Sequence, residues 1–154
     1  MKKLILIVFA IIGMMACKKN ETASFLDEID GKQFKKTSIL TSIDSITSNA
    51  NDTIPVVVVT PSDCKKDNIW SFNKNAKSFT LDEGLTKCDV ADPQIKDQGV
   101  ITELNNGNSL RVAGTTTNEI WEIESRNASS FRVSYFAKNS DNVTVKFRVT
   151  FTTI

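Results

Sequence analysis

The sequence predicts an all-β domain, an antiparallel up-and-down meander that closes into a barrel of about eight strands. Three observations predict it. From Lys32 onward the hydrophobic pattern has a period of two rather than 3.6. The runs are short and separated by turn-forming residues at regular spacing. No stretch after residue 30 carries the stripe of a long amphipathic helix. Closure is expected because a meander left open exposes two sheet edges.

The elements follow in chain order. Phe34, with Ile39 and Ile43 beyond, marks a first strand over 32–43, and the valine run marks a second over 54–59. Trp70 and Phe72 alternate, Asn73-Lys74-Asn75-Ala76 turns, and Phe79 and Leu81 alternate, which gives strands 69–73 and 77–81. Asn105-Asn106-Gly107-Asn108 is a tight-turn signal between strands 98–104 and 108–114. Trp121 and Ile123 share a face in a strand over 118–124. Phe131, Val133 and Tyr135 share a face in a run over 129–137 that merges toward 142–152, with a hairpin loop between. In that last run Val143, Val145, Phe147, Val149 and Phe151 alternate with Thr144, Lys146, Arg148 and Thr150, so one face is apolar and the other solvated. The polar segment 42–53 reads as a long loop.

Composition narrows the function classes. A chain of 154 residues suggests one domain. It contains no His, which excludes Ser-His-Asp and Cys-His catalysis and every His-ligated metal site. A net charge of +1 gives no reason to expect nucleic acid as partner. No catalytic residue, cofactor or metal is expected, and the chain is not expected to be an enzyme.

The first residues read as an address. Lys2 and Lys3 precede an apolar run over 4–16, which is shorter than the roughly 20 residues of a membrane-spanning helix. Met14-Met15-Ala16-Cys17 resembles a bacterial lipobox. It implies cleavage after Ala16, a diacylglycerol thioether on the Cys17 sulfur and acylation of the new amine; two or three acyl chains anchor stably where one is marginal. Cys17 would thus hold the protein to a lipid bilayer. Processing removes two lysines and no acid, leaving a near-neutral mature chain of net charge −1. Residues 17–30 are expected to be the lipidated Cys and a flexible tether; the isolated pair Phe25-Leu26 leaves a short docking helix as the alternative. The barrel domain is assigned to 31–154.

Cys64 and Cys88 remain, and an even pair in an exported protein reads as a disulfide. In the chain-entropy model such a loop is worth about 3.5 kcal/mol. Lys65, Lys66 and Lys87 leave open a reactive thiolate, although no Cys-x-x-Cys spacing is present. Asp82, Glu83, Asp89 and Asp92 crowd around Cys88, either as oxygen ligands for Ca²⁺ or as a solvated acidic loop. Trp70, Phe79, Trp121, Phe131, Tyr135 and Phe147 are the candidate lining of a pocket at one barrel mouth, with core packing as the alternative for each.

Several segments also carry a family likeness. Gly31-Lys32-Gln33-Phe34 resembles the Gly-x-Trp opening of lipocalin-type barrels, with Phe34 in place of Trp. Asp63-Cys64-Lys65-Lys66-Asp67-Asn68, then Trp70-Ser71-Phe72-Asn73, Phe79-Thr80-Leu81-Asp82-Glu83-Gly84, Thr86-Lys87-Cys88-Asp89 and Asp92-Pro93 resemble, in this order, the lipocalin-like lipoproteins common in Bacteroidetes. The resemblance spans about 31–154, with its specific motifs in 63–93. It implies a lipocalin-like barrel, a Cys64–Cys88 pairing and an envelope location, and it brings no catalytic residues. Asp44-Ser45-Ile46 and Asp52-Thr53-Ile54 resemble the O-glycosylation acceptors of that phylum, making Ser45 and Thr53 candidate sites. Lys18-Lys19 stand where surface-exported lipoproteins of the phylum carry an acidic run, so the expected location is the outer membrane, facing the periplasm. The function expected is a non-enzymatic lipoprotein binding a small apolar ligand. The alternative is a structural or interaction module that binds an envelope protein through its outer face or loops. Replacing Cys17 by Ala should abolish palmitate labelling in cells and release or mislocalise the protein; unchanged labelling would refute the lipobox reading.

Overall fold

A computed structural model describes residues 23–42, 56–139 and 142–154. The candidate signal segment, Cys17, Ser45 and Thr53 lie outside the described residues. The chain folds as a closed antiparallel barrel of eight strands with one extra strand. A short helix α1 (Phe25–Ile29) precedes β1 (Gln33–Ser42) and β2 (Val56–Val59). Helix α2 (Asp63–Lys66) leads into β3 (Ile69–Asn73) and β4 (Ser78–Asp82). Then follow β5 (Ile95–Leu104), β6 (Ser109–Gly114), β7 (Asn118–Arg126), β8 (Ser130–Lys138) and β9 (Thr144–Thr153). From β3 to β9 each strand pairs with the next, and β1 closes the ring by pairing with β9. The run expected to merge over 129–152 is two separate strands, β8 and β9, in register from Ser130↔Thr152 to Lys138↔Thr144.

β1 is the strand on which closure turns. On one side it pairs with β9 from Phe34↔Thr153 to Ser42↔Lys146, with a bulge between Lys36 and Ser38. On the other side its first residues pair with β3 and its last four with β2. The bulge shifts the period-two parity by one residue. Phe34 and Lys36 face inward before it and Ile39 after it, which explains why the apolar positions of this strand do not keep strict alternation. The turn between β5 and β6 is a single 3₁₀ turn (Asn105–Gly107) in which all three residues have positive φ, so Asn and Gly supply the left-handed backbone at low steric cost.

The interior is a column of rings. Phe25 meets Phe131 edge-on at 5.1 Å, and Phe131 stacks on Phe151 at 4.7 Å. Phe151 lies 5.2 Å from Trp121, which is 5.3 Å from Trp70 and 6.2 Å from Tyr135. Tyr135 stacks on Phe147 at 5.4 Å. Such pairs contribute about 0.5–1.5 kcal/mol each beyond area burial. Ile101, Leu110, Val112, Val133 and Val149 fill the gaps and are fully buried.

The reading of 17–30 as a flexible tether does not hold over its last third. Residues 25–29 are helical, and Phe25, Leu26 and Ile29 enter the core, which realises the docking-helix alternative. Four contacts fix the helix to one end of the barrel. Glu103 at the end of β5 accepts the Ser24 hydroxyl at 2.6 Å and the Leu26 amide at 2.9 Å. Asp27 pairs with Lys74 in the β3–β4 turn, and Glu28 with Arg126 at the end of β7. The domain therefore includes α1, upstream of residue 31, as its floor. Phe25→Ala should lower stability by about 3–5 kcal/mol, a midpoint fall of roughly 10 °C in a thermal melt. A tether residue would leave the midpoint unchanged.

Candidate functional site

The opposite end of the barrel is open, and its geometry starts with the partner exchange along β1. Residues 36–38 have no strand partner on the β2–β3 side, because the β3 pairing stops at Lys35 and the β2 pairing begins at Ile39. A cavity of about 760 Å³ lies there, between the inner face of β1 and the connection from β4 to β5. That volume is in the range of small-molecule sites. Ile39, Val59, Trp70 and Leu81 supply its apolar walls, and Lys36, Lys65 and Lys96 its cations.

The rim is tied down at several points. The Cys64–Cys88 disulfide, with Cα atoms 5.0 Å apart, joins α2 to the β4–β5 connection, and Cys88 itself lines the cavity. Asp67 Oδ2 accepts the amides of Leu85 and Thr86 at 2.9 and 2.8 Å, and these bonds hold its carboxyl below the usual carboxylate range. Gly84 has φ +74°, and a Cβ there would stand 2.4 Å from the Asp67 carbonyl oxygen, so the close approach requires glycine. Lys96 pairs with the buried Glu83 at 3.2 Å and with Asp92. The four acids grouped by the sequence therefore go separate ways. Asp82 accepts from Gly84 and Gln94, Asp89 accepts the Ala91 amide, and Glu83 and Asp92 hold Lys96. Among the described residues no cluster of three or more His, Cys, Asp or Glu side chains is placed to hold a metal ion.

Lys36 is the unusual group. It stands opposite Phe151 on the inner face, its ammonium 4.8 Å from the centre of the Trp70 ring and 5.7 Å from that of Phe151. The contacts are of cation–π type. Among the described residues it has no ion pair. Burial lowers its pKa, the nearby Glu119 opposes that shift, and Lys65 adds to it. Glu119, half-buried on β7, is occupied by the Trp121 indole N–H at 2.6 Å, and burial raises its pKa. Burial also pushes the Tyr135 phenol upward, with Glu119 adding to the effect.

The β6–β7 turn is held by Asp97, which is only 2% exposed. Its Oδ1 accepts the Thr115 amide at 2.7 Å, and its Oδ2 accepts the Thr117 amide at 2.8 Å and the Thr116 hydroxyl at 2.9 Å. Burial opposes ionisation, but these donors outweigh it and bring the carboxyl to about 2. Gly114 leaves room for the carboxylate, since a Cβ there would lie 2.5 Å from Oδ1.

Of the six aromatic residues proposed for a pocket, Trp70 lines this cavity. Tyr135 borders a shallower crevice on β7 and β8 with Glu119 and Phe136. Phe79, Trp121 and Phe131 belong to the packed column, at most 2% exposed, and Phe147 packs against the core from a partly buried position. For these four the core alternative is the one realised, because the ring column fills the barrel below the mouth. Sequence reasoning missed Lys36, Glu119 and Asp97. A signal for two of them was present: Lys36 shares parity with Phe34, and Glu119 with Trp121.

Comparison with protein-family models and with curated proteins finds no match.

The Asp97 clamp has a pH signature. Its folded pKa lies below the unfolded value of 3.8, so its contribution is present above about pH 4 and is lost as pH falls toward 2. Asp97→Asn should cost about 2 kcal/mol at neutral pH. In denaturant melts taken from pH 5 downward, the gap between wild type and Asp97→Asn should narrow through that window; a constant gap would mean that the charge does not carry the clamp.

Proposed function

We propose that the protein is an envelope lipoprotein of the lipocalin-like kind, anchored through acylated Cys17 to the periplasmic face of the outer membrane, that binds a small, largely apolar ligand at the barrel mouth and performs no catalysis. The observation that carries the binding reading is the cavity. A barrel of this size fills with side chains or holds one small ligand. Here the rings fill one half, while Ile39, Val59, Trp70 and Leu81 wall an open space in the other. Rim elements held by a disulfide and by Asp67 give a largely pre-formed site, which lowers the ordering cost of binding.

A second reading, an interaction module for another envelope protein, is favoured by the edge strand β2, on which Val57 and Val58 are 57% and 69% exposed.

The test uses N-phenyl-1-naphthylamine, a neutral apolar fluorophore. Wild type should bind it saturably, with energy transfer from Trp70, and Leu81→Arg should weaken binding at least tenfold while keeping the wild-type circular dichroism spectrum. Binding that is absent, or unchanged in Leu81→Arg, would refute the cavity as a ligand site. Loss of co-purification with an envelope protein on Val58→Lys, with fluorophore binding intact, would support the second reading.

A further inference from the structure

Resting on that reading, we infer that the ligand is an anionic amphiphile, with an apolar chain and a carboxylate head, and that Lys36 is the residue that reads the head. The argument begins with the balance of charge around the cavity. Its lining includes three cations, Lys36, Lys65 and Lys96, and one acid, Glu83. Glu83 is 1% exposed; its Oε1 lies 3.2 Å from Lys96, while its Oε2 has no hydrogen-bond partner among the described residues. Lys96 is further held by Asp92. The pair Glu83–Lys96 therefore cancels within the wall, and the net charge offered to a ligand comes from Lys36 and Lys65.

These two are not equivalent. Lys65 is an exposed side chain on α2, where solvent and salt screen it. Lys36 sits on the inner wall among Trp70, Phe151 and Ile39, where the local dielectric is low and an opposite charge is felt strongly. Among the described residues this ammonium has no ion pair. The charged groups that face it are Glu119 from β7, which is taken by the Trp121 indole, and Lys65 from α2, which repels it. The ring faces of Trp70 and Phe151 are partial compensation only. A carboxylate entering the cavity would supply what the fold withholds. It would form a charge-assisted hydrogen bond with Lys36 and restore the ammonium's preference for the charged state, while the chain lay against Ile39, Val59 and Leu81.

A neutral or cationic ligand would do neither. A neutral chain would desolvate the ammonium further, and a cation would repel both free lysines. The cavity should therefore discriminate among chains of equal length by head group, the form of specificity in which a buried polar group rejects ligands that leave it unpaired.

The test compares laurate, 1-dodecanol and dodecylammonium, each below its aggregation concentration, by displacement of N-phenyl-1-naphthylamine at pH 7. Wild type should bind laurate at least tenfold more tightly than dodecanol, and dodecylammonium most weakly. Lys36→Met keeps the apolar stem and removes the charge; it should bring laurate to within about twofold of dodecanol and leave dodecanol itself unchanged. Lys36→Arg should keep the preference, and Lys65→Met should keep most of it. Equal affinity for laurate and dodecanol in wild type, or a laurate preference that survives Lys36→Met, would overturn this inference and leave the apolar-ligand reading standing. Failure of all three compounds to displace the fluorophore would overturn it too, while fluorophore uptake still reported on the cavity. Absence of fluorophore uptake as well would remove the ligand site and this inference together.

Discussion

The pairing of the first barrel strand with the last is the constraint on which the rest depends. Without it the meander would end in two long edges with half-polar, half-apolar faces, a form prone to pair with other chains. With it, the interior has a fixed width, and eight strands enclose a space that side chains can just fill. The column from Phe25 through Phe131, Phe151 and Trp121 to Tyr135 is that filling. Space for anything else is then available only where the ladder departs from regularity. β1 departs twice at one place, by a bulge after Lys36 and by the exchange of β3 for β2 along its other edge. The cavity lies there as a consequence of how closure is achieved.

The two ends of the barrel are secured by different chemistry. At the floor the contacts are apolar burial by α1 together with the Glu103 carboxylate, which accepts from Ser24 and Leu26, and ion pairs to Lys74 and Arg126. At the mouth, loops are held by carboxylates that accept backbone amides, Asp67 on one side and Asp97 on the other, with the disulfide between α2 and the β4–β5 connection. Buried carboxylates that accept several amides fix a loop more strictly than apolar contact does, because the geometry of each bond is narrow. The mouth is therefore shaped by short polar contacts around a wall of valine, leucine and isoleucine.

Period-two alternation made most of the barrel legible in the sequence, and Val145, Phe147, Val149 and Phe151 show why. On a regular strand parity alone decides which face a residue takes. Parity fails where a bulge intervenes, so the inward placement of both Lys36 and Ile39 needed the structure. α1 was the other gap. Five residues between polar neighbours carry too little periodicity to separate a docked helix from a tether, and what decides between them is a long-range contact, Phe25 against Phe131. The aromatic candidates illustrate a different limit. Sequence identifies inward rings, but whether a ring lines a space or fills it depends on its depth along the barrel, and only Trp70 among the six sits where the column ends and the cavity begins. Asp97 was unreadable as a site residue because its donors, Thr115, Thr116 and Thr117, lie in a turn some twenty residues away.

The placement of α1 gives the molecule a direction. Ala23 and Ser24 lie at the floor beside Glu103, so this segment and the cavity lie at opposite poles. The opening of the cavity therefore points away from the face that α1 covers. The two poles thus present different surfaces to solvent, a helix held by ion pairs at one and the cavity at the other.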